Sequence, residues 1–199
     1  MAKVSKIHGM FISLSLLASV ILVSCASSSV EPEPKTPAVY VTNFKKVNVL
    51  PADKIQNPID EVQLFEGTFG DKSFSMPLYI QADENGLNVS LLNDFGTSVG
   101  DLSYAEDAVS FDSPMFSDNA KAEYIVWDIQ LSFYKPEEIS KCLSKSKLTF
   151  TVEDDGETEI RKIFDGKELI EEVTLRNHFV QIKNLLRGYE YHLIGVGDE

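Results

Sequence analysis

Two cysteines, three histidines and several acid-rich turns carry the reactive side chains of this 199-residue chain. The histidines of the main body, His178 and His192, have no Cys or His partner at the spacing a metal site uses. The sequence contains no G-x-S-x-G nucleophile elbow and no Gly-rich phosphate loop. Acids cluster in Asp83-Glu84-Asn85-Gly86, Glu153-Asp154-Asp155-Gly156 and Asp165-Gly166. The calcium-loop spacing is absent, and acids beside glycine are what hairpin turns use. Two catalytic carboxylates need a set separation that linear order does not show, so a cleft with two facing carboxylates would point to a hydrolase. Cys142 falls on one helical face with Ile139 and Leu143, the place of a core thiol. The chain is therefore read as a non-enzyme with no catalytic residue, metal or cofactor.

Cys25 stands in a different setting. Lys3 and Lys6 precede a fourteen-residue apolar run, Met10 to Val23, which ends in Leu22-Val23-Ser24-Cys25. The run falls short of the ~20 residues that span a bilayer and fits a cleaved export signal over residues 1–24. Leu, a small residue and then Cys resemble the lipobox of bacterial lipoproteins, which implies an acylated Cys25 after cleavage. Two or more acyl chains anchor a protein stably, at about 0.8 kcal/mol per buried methylene. By the same resemblance, Ala26 after the Cys implies the outer membrane, with the protein facing the periplasm. With Cys25 acylated, Cys142 has no partner, so no disulfide is expected and the core alone must hold the fold.

Stepping outward, the elements that would position these residues follow from the hydrophobic pattern. Residues 25–57 read as a leash, Pro-rich and small in Ala26 to Ala38, with Val39 to Asn57 ambiguous between strand, turn and short helix. Residues 58–196 read as one domain, long enough to bury about two-thirds of its unfolded surface. Short alternating strands run over Val62–Phe69, Ser73–Ile80, Leu87–Leu92, Ser98–Tyr104 and Asp107–Asp112. Pro77 marks an edge or a bulge, and Gly86 is expected where a turn needs positive φ. The period then turns helical, with Asp118-Asn119 as cap before Ala120–Leu131, and a second helix opens at Pro136. Strands resume over Leu148–Val152, Thr158–Phe164, Lys167–Leu175, Phe179–Ile182 and Tyr189–Val196. The expected class is α+β, mostly β, with about ten strands and one helical insertion.

Net charge narrows the partners. The chain carries −13, and without Lys3 and Lys6 it has 16 basic and 31 acidic side chains, or −15. That argues against nucleic acid and against electrostatic adhesion to anionic headgroups, leaving apolar groups for any lipid contact.

Three short stretches carry a further resemblance. Leu91-Leu92-Asn93-Asp94-Phe95-Gly96-Thr97, Leu131-Ser132-Phe133-Tyr134-Lys135-Pro136, and Asn184, Gly188 and Tyr189 as N-x-x-x-G-Y are similar to segments of an uncharacterised bacterial lipoprotein family with a LolA/LolB-like fold. Asp94 stands where that group usually has Pro. The resemblance implies an open, curved antiparallel sheet, a half-barrel, with helices at its mouth. It implies an outer-membrane-tethered monomer that binds or transfers acyl chains or lipoproteins in an apolar cavity. Leu91, Trp127, Leu131, Phe133, Ile139 and Phe150 are the candidate lining, and Phe95, placed among turn formers, is a candidate lipid probe. The alternative is a structural or interaction lipoprotein of the envelope with the same scaffold, a filled core and no ligand.

Overall fold

The computed structural model describes residues 36–69, 71–114 and 121–195. The signal, Cys25 and the leash up to residue 35, the Asp118-Asn119 cap and Val196 lie outside the described residues. Among the described residues, ten strands form one antiparallel sheet and two more form a separate hairpin.

The hairpin comes first: β1 (Ala38–Tyr40) and β2 (Lys46–Asn48), followed by a 3-10 turn at Ala52–Lys54. A meander follows: β3 (Ile59–Phe69), β4 (Lys72–Ala82), β5 (Leu87–Leu92), β6 (Ser98–Ala105) and β7 (Ala108–Asp112). Helices α1 (Ala122–Phe133) and α2 (Pro136–Ser144) come next. A second meander closes the chain: β8 (Thr149–Asp154), β9 (Thr158–Asp165), β10 (Glu168–Arg176), β11 (Phe179–Asn184) and β12 (Tyr189–Gly195). The spatial order is β7-β6-β5-β4-β3-β12-β11-β10-β9-β8. The first meander thus runs from the middle to one edge. The helices carry the chain to the other edge, and the second meander returns until β12 pairs with β3, Tyr189 opposite Phe69. Edges β7 and β8 do not pair, so the sheet stays open, as the expected half-barrel class requires.

Helix α1 shows how far the sheet curls. It packs against β7, β10 and β11 as well as β1. In a flat sheet the seven spacings from β7 to β10 would cover about 34 Å. A helix is about 10–12 Å across. One helix touches both only if the sheet wraps around it. Val126 to Ser132 are accordingly buried without interruption, whereas Ile125 is partly exposed. Tyr134 and Lys135 are extended before Pro136, which ends α1 two residues beyond the expected Leu131. Pro136 then opens α2, with Ile139, Cys142 and Leu143 turned to the core as expected.

Two sequence expectations change. The leash, drawn through Asn57, contributes Val39, Val41, Val47, Val49, Leu50 and Ile55 to the core, so the packed body begins near Ala38. All members of that core lie between Val39 and Leu193, so a chain starting at Ala26 keeps every one of them. Gly86 does not adopt positive φ. A Cβ there would sit 2.9 Å from the Tyr104 carbonyl oxygen, so glycine is needed for close approach of β6. The stretch from Val39, ambiguous in sequence, is strand as far as Tyr40 and then turns, because Thr42 Oγ1 accepts from the N–H of Phe44 and Lys45. Pro77 meets its expectation. β5 pairs with β4 only from Leu78 onward, so β4 is locally an edge at Pro77.

Candidate functional site

The expected lining residues share one core. Leu91, Trp127, Leu131 and Ile139 are buried in it, and Phe133 and Phe150 pack half-buried against it. The concave face of the sheet is filled by α1, α2 and the β1–β2 hairpin. Two polar side chains of α1 fix that filling. Gln130 accepts from Leu50 N–H at 2.8 Å and donates to Leu50 O at 2.7 Å, so its amide acts as a strand partner for the hairpin segment. Arg161, almost wholly buried, donates to the carbonyls of Leu131 and Tyr134, each at 2.8 Å, and satisfies the C-terminal end of α1.

A buried polar cluster joins α1 to the second meander. Asp128 Oδ2 accepts from the hydroxyls of Tyr189 (2.8 Å) and Tyr191 (2.9 Å) on β12. Asp128 also hydrogen-bonds Glu171 on β10, and both carboxyls are almost fully buried. Asp128 Oδ1 and Glu171 Oε1 are buried and accept from no N–H or O–H donor, so a proton kept on the pair relieves that deficit. Burial is the main force raising Asp128, to about 6, while the two tyrosine hydroxyls and Arg187 pull it down. Burial and the Asp128 charge hold Glu171 well above the ordinary carboxyl range. Two carboxyls in contact do not both ionise, so one is a carboxylic acid at neutral pH.

The N-x-x-x-G-Y stretch builds the wall of this cluster. Asn184 Oδ1 accepts the Arg187 N–H, Asn184 O accepts the Gly188 N–H, and the turn delivers Tyr189 to Asp128. Arg187 lies over the Tyr124 ring, 4.7 Å from its centroid, and donates to Tyr40 O of β1. The crevice between β1 and the carboxyls, lined by Val39, Tyr40, Trp127 and Arg187, has no space large enough for a water molecule. The two carboxyls meet by hydrogen bond, whereas a hydrolase pair stands about 5 Å or more apart with substrate or water between. This geometry shares a proton and pins α1 to β10 and β12.

The turn acids serve their own backbones. Asp83 Oδ1 accepts from Asn85 and Gly86 N–H, and Asp155 Oδ1 from Glu157 and Thr158 N–H. Those bonds hold both carboxyls below their ordinary range. A polar depression of about 190 Å³ lies beside the first of these turns. Cys142 donates weakly to Asn48 O, and burial pushes its thiol up, as for an inert core cysteine.

Phe95 stands apart from the core, 92 % exposed. Asn93 Oδ1 accepts from the N–H of both Phe95 and Thr97, and Gly96 at φ 74° completes the turn. The backbone therefore fixes a turn whose apolar side chain points away from the sheet. Phe44, at the tip of the β1–β2 hairpin, is also 92 % exposed. Sequence reading passed over it, although Thr42-Asn43-Phe44-Lys45 repeats the pattern of a Phe among turn formers. Asp128 and Glu171 were missed too. Their signals were an acid inside the continuous apolar run of α1 and an acid in phase with Leu169, Val173 and Leu175 on β10.

These features define a class: an open antiparallel half-barrel whose interior is packed by helices and a hairpin and whose most exposed aromatics among the described residues stand on turns. Residues 60–194 match the family described as "Protein of unknown function (DUF3261)", and the chain belongs to that family. No curated protein matches the chain.

Proposed function

We propose that this is a lipoprotein of the cell envelope, held by acyl chains on Cys25, probing lipid through Phe95 and serving as a non-covalent interaction scaffold at the outer membrane. The observation that carries this reading is the contrast between interior and rim. Trp127, Leu131 and Ile139 are fully packed, while Phe95 is left in solvent. A bare phenyl ring forgoes about 2–3 kcal/mol of burial, a placement that makes sense where a second apolar phase is at hand.

Binding or transfer of acyl chains inside the half-barrel is the second reading. In its favour, the hairpin roofing Trp127 and Leu131 precedes the family-matched residues, so the roof and the half-barrel are separate segments. Two mass measurements test the pair. The membrane-extracted protein should have the mass of a chain starting at an acylated Cys25, and Cys25→Ser should lose that mass and the membrane attachment. An unmodified N-terminus would overturn the anchor. Native mass spectrometry of Ala26–Glu199 should then show the bare chain. A co-purifying acyl lipid at one per chain would instead establish the carrier reading.

A further inference from the structure

We infer that the end of the sheet bearing Phe44 and Phe95 is a bilayer-docking surface that takes anionic phospholipid headgroups on the Phe44 side. This rests on the membrane-tethered reading above and specifies how the domain meets the lipid. The strand register sets the two ends. Tyr189 pairs with Phe69, Asn184 with Glu171, and Asp165 with Glu168. The β3–β4, β5–β6, β9–β10 and β11–β12 turns therefore lie at one end of the sheet, and the other hairpin turns lie at the opposite end. Lys45 Nζ donates to Asp165 Oδ1 (2.6 Å) and to Lys147 O (2.9 Å), which brings the β1–β2 turn with Phe44 to the same end as Phe95.

Exposure singles this end out. Phe44 and Phe95 are each 92 % exposed, whereas the other large exposed hydrophobics among the described residues reach 46 % at most. That next one, Leu185, sits in the β11–β12 turn of the same end. Apolar tips on one rim insert together into one surface.

Charge separates along the same axis. The opposite end carries Asp83-Glu84, Glu106-Asp107 and Asp154-Asp155 in three of its turns, against Arg176 in the fourth. On the Phe44 side of the docking end stand the exposed Lys147 and Lys167, with Glu168 beside them and Lys45 paired to Asp165, while Arg187 is held by Tyr40 O and the Tyr124 ring. The two ends are about 36 Å apart along the 11 residues of β3. Screening at physiological salt acts over about 8 Å, so the far acids do not oppose docking. The net charge of −13 thus hides a small local excess of lysine beside Phe44. Asp71 and Asp94 flank the Phe95 side, so there the ring enters without help from charge.

The test uses Ala26–Glu199, which keeps the whole core and lacks the acyl anchor, with vesicles of phosphatidylcholine alone and of phosphatidylcholine mixed with phosphatidylglycerol. Co-sedimentation should show partition into both, stronger with phosphatidylglycerol and weakened by salt. Phe44→Glu and Phe95→Glu should each lower partition into both vesicles by about tenfold or more. Lys147→Glu combined with Lys167→Glu should remove only the phosphatidylglycerol excess and its salt sensitivity. Unchanged thermal melts of these exposed-site variants confirm that folding is intact. Partition of the double phenylalanine variant equal to that of the parent would overturn the inference, as would a parent that ignores phosphatidylglycerol vesicles at low salt. The acyl mass at Cys25 is independent of these variants, so an acylated chain with an inert rim would sink this inference alone.

Discussion

Glu171 and Asp128 share a proton in a site from which water is excluded, and a pH dependence follows. Both carboxyls are raised in the folded state, by burial first and, for Glu171, by the neighbouring charge. Tyr189, Tyr191, Arg187 and Asn184 face the pair. In the unfolded chain each carboxyl titrates near pH 4. A group with a raised folded pKa contributes stability that is full below the unfolded value and is lost as pH rises through the folded one. The cluster therefore favours the fold at mildly acid pH, and its contribution falls from about pH 4 through pH 6 and above. Glu171→Gln keeps a donor toward Asp128 and removes one titration. Its urea midpoint should match the parent near pH 4 and exceed it near pH 8; parallel pH profiles for the two proteins would refute the shared proton.

Gln130 works at the scale of the element. Its side chain completes the hydrogen bonding of Leu50, whose carbonyl also accepts from the Tyr104 hydroxyl at 2.9 Å. In Gln130→Ala, the Leu50 N–H is buried without an acceptor. That should cost about 1–3 kcal/mol, seen as a lower urea midpoint at unchanged m-value. An N–H that exchanges in the parent only on global unfolding, and locally in the variant, would place the loss at the hairpin. The same scale explains N-x-x-x-G-Y. Asn184 and Gly188 shape the turn, so the stretch acts by aiming Tyr189 at Asp128.

For the whole molecule, the decisive contact is between the hairpin and the half-barrel. Six apolar side chains from Val39 to Ile55 complete the core, and each full burial is worth about 1.5–3 kcal/mol. Their sum is of the order of a domain's entire net stability, about 5–15 kcal/mol. A chain starting at Asp60, where the family match begins, should therefore lose its near-UV circular dichroism and its cooperative transition, while Ala26–Glu199 keeps both. A cooperative melt for the shorter chain would show that the half-barrel closes without its strap.

By itself, the sequence determined what depends on neighbours along the chain. Period-2 alternation, Asp and Gly turns and the Pro136 break set the strands of both meanders and the second helix, because pleat, turn and cap are local geometry. Asn93 and Gly96 set the turn that expels Phe95, for the same reason. Whatever depends on distant partners was settled by the packing of helix and hairpin on the sheet. It made Val39, Val41, Val47, Val49, Leu50 and Ile55 part of the core, because their short apolar runs gain burial only against α1 and the sheet. It turned the glycine of Asp83-Glu84-Asn85-Gly86 into a site of close approach, since the Tyr104 carbonyl arrives from another strand. It brought Asp128 and Glu171 into contact across 43 residues, because a carboxyl pair is created by the packing of a helix on a curled sheet. And it gathered Phe44 and Phe95 at one end, because antiparallel pairing assigns every turn to an end of the sheet.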